Sequence, residues 1–170
     1  MATPDTGFDI VPAQPADVPL ILSLIRELAE FEELAHEVQA TPERLHAALF
    51  GADPVAHAVV ALATDGTPAG FALYFFNFST FVGKPGLYLE DLYVRPDYRK
   101  RGLGRRLLAH LAKVAVDRDC GRMEWSVLNW NETALRVYRA IGAQPLDEWT
   151  VQRLTGEALK ALAAGAGGGR

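Results

Sequence analysis

Cysteine is nearly missing from this 170-residue chain: Cys120 stands alone. A lone thiol excludes a disulfide within the chain and fits a reducing compartment, so a cytoplasmic setting is expected. Long apolar runs are missing as well. No stretch reaches the ~18 uninterrupted apolar residues of a membrane span, and Met1-Ala2-Thr3-Pro4-Asp5 has neither the basic start nor the apolar core of a secretory leader. No membrane partner is expected. Positive charge is in deficit, 17 Lys and Arg against 21 Asp and Glu. That balance argues against a general nucleic-acid binder, whose affinity sums Lys and Arg contacts to phosphates. Metal-ligand spacing is lacking too: His36, His46, His57 and His110 are scattered, and with one cysteine no metal site is expected. No Gly-x-Ser-x-Gly elbow is present, which removes the simplest hydrolase reading.

What is present is an ordinary globular composition, 49% hydrophobic and 22% charged, on a length that suits one domain. Residues 8–13 suit a short first strand ending at proline. Asp17 is placed to cap a helix whose apolar residues Val18, Ile21, Leu24, Ile25, Leu28 and Phe31 follow a helical period. Thr41-Pro42 starts a second helix over 42–50, and Gly51 ends it. Val55–Ala63 and Gly70–Phe78 flank Asp65-Gly66, a hairpin signal. Gly83-Lys84-Pro85-Gly86 breaks the chain before a strand at 87–94, completing an antiparallel meander. Leu103, Leu107, Leu111 and Val114 stripe a helix over 103–118, and a strand follows from Met123 to Leu128. Asn129 or Asn131 caps a helix to Ile141, Glu148–Leu154 reads as a last strand, and a short helix is expected over 156–163. The tail, 163–170, has nothing to bury and is expected to be disordered. The expected fold is a mixed α/β sheet in one layer with helices on both faces: one domain, 1–170, with its core over 8–162.

One segment departs from the acidic trend. Arg99, Lys100, Arg101, Arg105 and Arg106 crowd around Gly102 and Gly104, after a strand and before a helix. The N–H groups of residues 102–106 are therefore the unsatisfied donors of a helix start, aided by the helix dipole, and suit a phosphate. Glycine lets a ligand approach the backbone, and the cations add charge-assisted bonds. The blander alternative is a solvated basic helix start whose glycines only turn the chain. Two other phosphate motifs fail on spacing: Gly104 precedes Arg105-Arg106 instead of Lys-Ser/Thr, and a dinucleotide fingerprint would need glycine or alanine where Leu107 stands.

Arg99-x-x-Gly102-x-Gly104 resembles the acetyl-CoA pyrophosphate loop of the GNAT superfamily of N-acetyltransferases, and the expected element order is also that superfamily's. Leu87-Tyr88-Leu89-Glu90-Asp91, Asn131-Glu132, Tyr138 and Arg26-Glu27-Leu28-Ala29-x-Phe31-Glu32 narrow the resemblance to the diamine (spermidine/spermine) and thialysine branch, over residues 8–162. The resemblance implies acetyl-CoA as donor, held by Arg99, Lys100, Arg101, Gly102, Leu103, Gly104 and Arg105. It also implies contacts from the backbone of Leu92, Tyr93 and Val94, where this family splays its strands. Asn131 is a helix cap, a cofactor contact, or both. Phe31, Glu32, Glu90 and Asp91 are expected around the acceptor. The polyamine-acetylating relatives carry tyrosine where Phe31 stands, so one hydroxyl is missing.

The chemistry explains the need for such groups. A primary amine with pKa near 10.4 is only roughly one part in 2,500 neutral at pH 7, a cost of about 4–5 kcal/mol. A carboxylate can bind the ammonium and take its proton as the amine attacks the thioester. Glu90 and Asp91 lie mid-strand with side chains on opposite faces, so each is expected to be at least partly buried. Asp91 suits bonds to backbone amides or an arginine equally well; for Glu90 the resemblance implies the base. Tyr138, by spacing alone an ordinary core tyrosine, is implied as the acid that protonates the departing thiolate. The acidic residues of the first helix suit a cation, although such a face is usually just solvated. The expected partners are acetyl-CoA, a small amine (a polyamine or a lysine-like amino acid) and a second copy of the chain, because the C-terminal strand and helix resemble segments that complete a neighbouring subunit. The rival readings are a protein lysine or N-terminal acetyltransferase, a non-catalytic acyl-CoA sensor and, more remotely, a nucleic-acid module.

Overall fold

Asp65-Gly66 reverses the chain between β2 (His57–Ala63) and β3 (Pro68–Ser79). Gly66 takes φ +82°, a conformation that costs glycine little, and the Thr67 amide donates to the Asp65 carboxylate at 2.9 Å. β4 (Lys84–Val94) then returns along β3. β1 (Phe8–Pro12) lies on the far side of β2, and β5 (Arg122–Trp125) beside β4. The computed structural model, which describes residues 7–166, thus holds one sheet in the order β1-β2-β3-β4-β5. The first four strands pair antiparallel and β5 joins β4 in parallel, the expected mixed sheet. Contacts divide the chain into a first unit ending at Leu128 and a second beginning at Asn129.

In the first unit, α1 (Val18–Phe31) and α2 (Pro42–Phe50) cover one face of the sheet. Ile21 and Leu24 of α1 and Leu49 of α2 are buried with Val60, Phe71, Leu73 and Tyr93 from the strands. Burying a side chain such as Ile21 or Leu24 contributes about 1.5–3 kcal/mol. Val59 and Ala61, the pleat neighbours of Val60, are buried as well and point the other way. There α3 (Leu103–Asp117) brings His110 and Val114 beside Val59. Helices therefore occupy both faces. Phe31, the expected end of the α1 stripe, is 40% exposed. Arg95, just past β4, locks α1 to the sheet: its Nε and Nη2 donate to the two Glu27 carboxylate oxygens at 3.0 and 2.7 Å, and Nη1 donates to the Pro68 carbonyl at 3.0 Å. This bidentate pairing holds the Glu27 carboxyl below the usual carboxylate range.

In the second unit, the Asn131 side chain accepts from the Ala134 amide at 3.2 Å and starts α4 (Glu132–Ala140). Two expectations fail here. Glu148–Leu154 forms no strand: its alternating pattern finds no partner strand among the described residues, and Trp149 and Val151 are 77% and 80% exposed. A strand without a neighbour leaves its ladder of amides and carbonyls unpaired. The disorder expected from Ala163 onward does not begin there, since α5 (Gly156–Gly165) continues through Ala163 and Ala164, residues of the highest helix propensity. Residues 167–170 lie outside the described residues. Among the described residues no helix is long and apolar enough to cross a membrane.

Candidate active site

β4 carries both halves of the site. Its pairing with β5 runs from Gly86 opposite Arg122 to Leu89 opposite Trp125 and goes no further. From Glu90 to Val94 the strand is laddered on the β3 side alone, where Leu92 faces Ala72 and Val94 faces Gly70. Among the described residues no strand pairs with the other side of this stretch, where the Val94 carbonyl accepts from Arg99 Nε at 2.8 Å. At Gly70 the two strands come so close that a Cβ would collide with the Tyr93 carbonyl oxygen.

The donor loop follows. Lys100 and Gly102 both adopt left-handed backbone, φ +61° and +77°, and Gly102 caps α3. The first helical bond runs from the Arg106 amide to the Gly102 carbonyl at 3.0 Å, so the amides of Leu103, Gly104 and Arg105 precede it and point out of the helix start. A Cβ at Gly104 would meet only Leu92 Cδ2, at 4.0 Å. The chain's own packing does not demand glycine at 104; a ligand lying against the backbone would. Arg106 holds its Nη1 buried with no hydrogen-bond partner among the described residues. The orphaned guanidinium nitrogen of a first-turn residue, with open amides at the same helix start, fits a pyrophosphate. Arg106 belongs to the basic run, but only its burial singles it out. The cations otherwise divide: Arg101 lies 5.7 Å from the Tyr98 ring centre and Arg99 turns toward Phe31 and Tyr93, while Lys100 and Arg105 are exposed.

A cluster of carboxylates lies a few residues before the loop, on β4. Leu73 faces Asp91 and Tyr74 faces Leu89, so Glu90 is the extra residue of a β-bulge. Expected to be partly buried, Glu90 is instead exposed, because the bulge lifts it out of the ladder and breaks the strict alternation of faces. Asp91 stays half-buried. Burial, then the charges of Glu90 and Glu32, push its carboxyl up to about 6. Asp91 thus lies within electrostatic reach of Glu32, just past the C-terminal end of α1, and of Glu90 in the bulge of β4, an acidic corner. Burial raises Glu32 as well. The structure therefore gathers Phe31, Glu32, Glu90, Asp91 and the donor loop in the first unit. Asn131 and Tyr138 belong to the second, where they stand at the cap and toward the end of α4. Sequence reasoning missed the Glu27–Arg95 pair, whose partners lie 68 residues apart and leave no local signal.

An open strand edge, a helix start with three unbonded amides and a carboxylate corner agree with the relatives this chain has. The model of the acetyltransferase (GNAT) family matches residues 21–143. Thialysine N-epsilon-acetyltransferase of Bos taurus is 42% identical over 89% of this chain and 94% of its own length. L-ornithine N5-acetyltransferase of Arabidopsis thaliana is 35% identical over 88% of this chain and 85% of its own. Among solved structures, an integron cassette protein from the mobile metagenome of V. cholerae superposes with TM-score 0.76 at 26% identity, covering 92% of this chain and 98% of that one. The family's acetyl donor is acetyl-CoA, and the loop from Arg99 to Arg106 is the part of this chain that fits it. The chain belongs to the acetyltransferase (GNAT) family, and it is an N-acetyltransferase of that family's diamine and thialysine branch.

Proposed function

We propose that this enzyme transfers the acetyl group of acetyl-CoA directly to a primary amine of a small molecule, a polyamine or a lysine-like amino acid such as thialysine or ornithine. The observation that carries this reading is the acidic corner in which Glu32, at the end of α1, joins Glu90 and Asp91 of the strand that leads into the donor loop. An ammonium docks among these carboxylates, and Glu90, exposed at the bulge, takes its proton directly or through water. The neutral nitrogen attacks the thioester carbonyl, and the oxyanion that forms is met by backbone amides of the open stretch from Leu92 to Val94. The C–S bond then breaks, the Tyr138 hydroxyl gives its proton to the departing thiolate, the second nitrogen proton passes to the tyrosinate directly or through water, and the product is an amide with free coenzyme A. The loop from Arg99 to Arg105, with Arg106 and Asn131, holds the donor.

The whole chain then works as one acetyltransferase domain with its core over 8–162, in the cytoplasm and as a homodimer. Support for the dimer lies in the second unit, whose helices bury no residue while Leu146, Trp149, Val151 and Leu154 are exposed. A light-scattering mass of twice 18.5 kDa is expected; a monomer mass refutes the dimer. The activity is tested by incubating the protein and acetyl-CoA with L-lysine, L-ornithine, thialysine, spermidine and a lysine-containing peptide, following thiol release. Turnover of the free amines is expected. Turnover of the peptide alone favours a protein acetyltransferase, and tight coenzyme A binding with no turnover favours a sensor.

A further inference from the structure

Arg99 opens the donor loop, where a guanidinium is expected to face the anion. Its side chain runs the other way, toward the acceptor corner. Nε donates to the Val94 carbonyl at 2.8 Å, and the guanidinium carbon lies 4.9 Å from the ring centre of Phe31 and 5.5 Å from that of Tyr93. Tyr93 is buried in the core, whereas Phe31 is the last residue of α1 and is followed directly by Glu32. One side chain thus joins the loop, the open end of β4 and the acceptor end of α1. A guanidinium suits the task because its edge donates hydrogen bonds while its face lies on an aromatic ring; an ammonium cannot do both at once. Arg95 provides the contrast. Its pair with Glu27, one turn earlier on the same helix, fixes α1 to the sheet without involving the donor loop. Arg99 ties the helix end to the first residue of the loop itself.

We propose that Arg99 is a positioning residue that couples the donor loop to the acceptor corner, holding Phe31 and with it the Glu32 carboxylate in place relative to Asp91. The proposal rests on reading that corner as the amine site. Phe31 then serves as the surface Arg99 grips: one face of the ring already carries a cation, so its part in acceptor binding is indirect. Arg99 itself does not touch the reacting atoms.

The test is a double-variant cycle of Arg99→Met and Phe31→Leu, with Arg99→Lys and Phe31→Tyr as conservative partners. Three quantities are read: KM for the amine turned over fastest in the panel above, the dissociation constant of coenzyme A, and Tm. Phe31→Leu is expected to raise the amine KM by about twofold to fivefold, the range of a partly exposed cation–π contact, with the effect falling on KM and not on kcat. Phe31→Tyr, which keeps the ring, restores the lower KM. Arg99→Lys keeps the charge but loses the stack, so it raises the amine KM by a larger factor than it raises the dissociation constant of coenzyme A. The double variant is expected to show the amine KM of Arg99→Met alone. Factors that multiply in the double variant, or a Phe31→Leu enzyme with unchanged amine KM, overturn the proposal. If the wild-type protein turns over none of the amines, the functional reading fails, and the Tm cycle alone decides the contact: non-additive losses support it and additive losses overturn it.

Discussion

From Arg99 to Arg106 the donor loop offers backbone: two left-handed residues, Lys100 and Gly102, and three amides ahead of the first helical bond. Only a few residues earlier, the acceptor corner offers side chains, carboxylates drawn from the end of α1 and from a bulge in β4. Backbone recognition needs a conformation and tolerates many side chains; recognition through carboxylates needs charges and depends on pH. Substitutions in the two regions should therefore fail differently.

The sharpest break is Glu90→Gln. The variant keeps the shape of the side chain and removes the base. At pH 7 kcat/KM is expected to fall at least about tenfold, toward the hundredfold or more typical of a lost general base. At pH 9 a larger fraction of the amine is already neutral, so the loss shrinks. An equal loss at both pH values would show that Glu90 only binds the ammonium.

Asp91 tests the same corner through stability. Its carboxyl ordinarily titrates near 3.8 and here is pushed up to about 6 by burial, Glu90 and Glu32. The folded state therefore holds this proton more tightly than the unfolded chain does. Stability is fully kept below the unfolded value, falls as pH rises toward about 6, and stays lowered above it. Once partial exposure is allowed for, the cost at neutral pH is about 2 kcal/mol. Asp91→Asn removes it, so the variant is expected to melt above wild type at pH 7.5, with a gain that shrinks on acidification and is gone near pH 4. A gain independent of pH would trace to packing instead of charge.

The donor loop breaks through backbone. Gly102 sits at φ +77° with no atom within 4 Å of the place a Cβ would take, so the objection to a larger residue is conformational. Gly102→Val forces a β-branched residue into left-handed backbone at about 1–2 kcal/mol. Calorimetry should show acetyl-CoA bound roughly fivefold to thirtyfold more weakly if that strain is relieved by moving the loop, with amine KM little changed. A matching rise in amine KM would mean that the two regions are not built independently, as the Arg99–Phe31 contact implies for the loop's first residue.

The same contrast explains what could be read in advance. The loop is contiguous and rests on glycine, so its residues announce a conformation, as Asp65-Gly66 does for the hairpin and Asn131 for the α4 cap. The corner is assembled from residues far apart. That Glu90 and Asp91 are carboxylates is plain in the sequence. The bulge that exposes one of them is not, because register between Leu73 and Tyr74 and their partners is a property of two strands together. Glu27–Arg95 and Arg99–Phe31 leave no spacing to detect for the same reason. The 148–154 segment fails in reverse: Trp149, Val151 and the polar residues between them alternate as a strand would, but alternation only offers a face, and a strand also needs a neighbour.

The smallest effect probes how the corner holds α1 at its end. The helix closes with the Leu34 amide bonded to the Ala29 carbonyl at 2.7 Å and the Glu33 amide to the Glu30 carbonyl at 3.1 Å, the paired bonds of a helix-ending motif that places its next residue in left-handed backbone. That residue is usually glycine. Here it is Glu33, at φ +61°, in the acidic stretch directly after Glu32. A side chain in that conformation costs about 1–2 kcal/mol, part of which glycine would return as greater freedom in the unfolded chain. Glu33→Gly is therefore expected to stabilise the fold by about 0.5–1 kcal/mol, a rise of roughly 1–4 °C in Tm. If the glutamate is kept for its charge beside the acceptor, the same variant raises the amine KM while it raises Tm. A Tm that falls would show that Glu33 makes a stabilising contact outweighing its backbone cost; a Tm that rises with amine KM unmoved would confine the acceptor field to Glu32, Glu90 and Asp91.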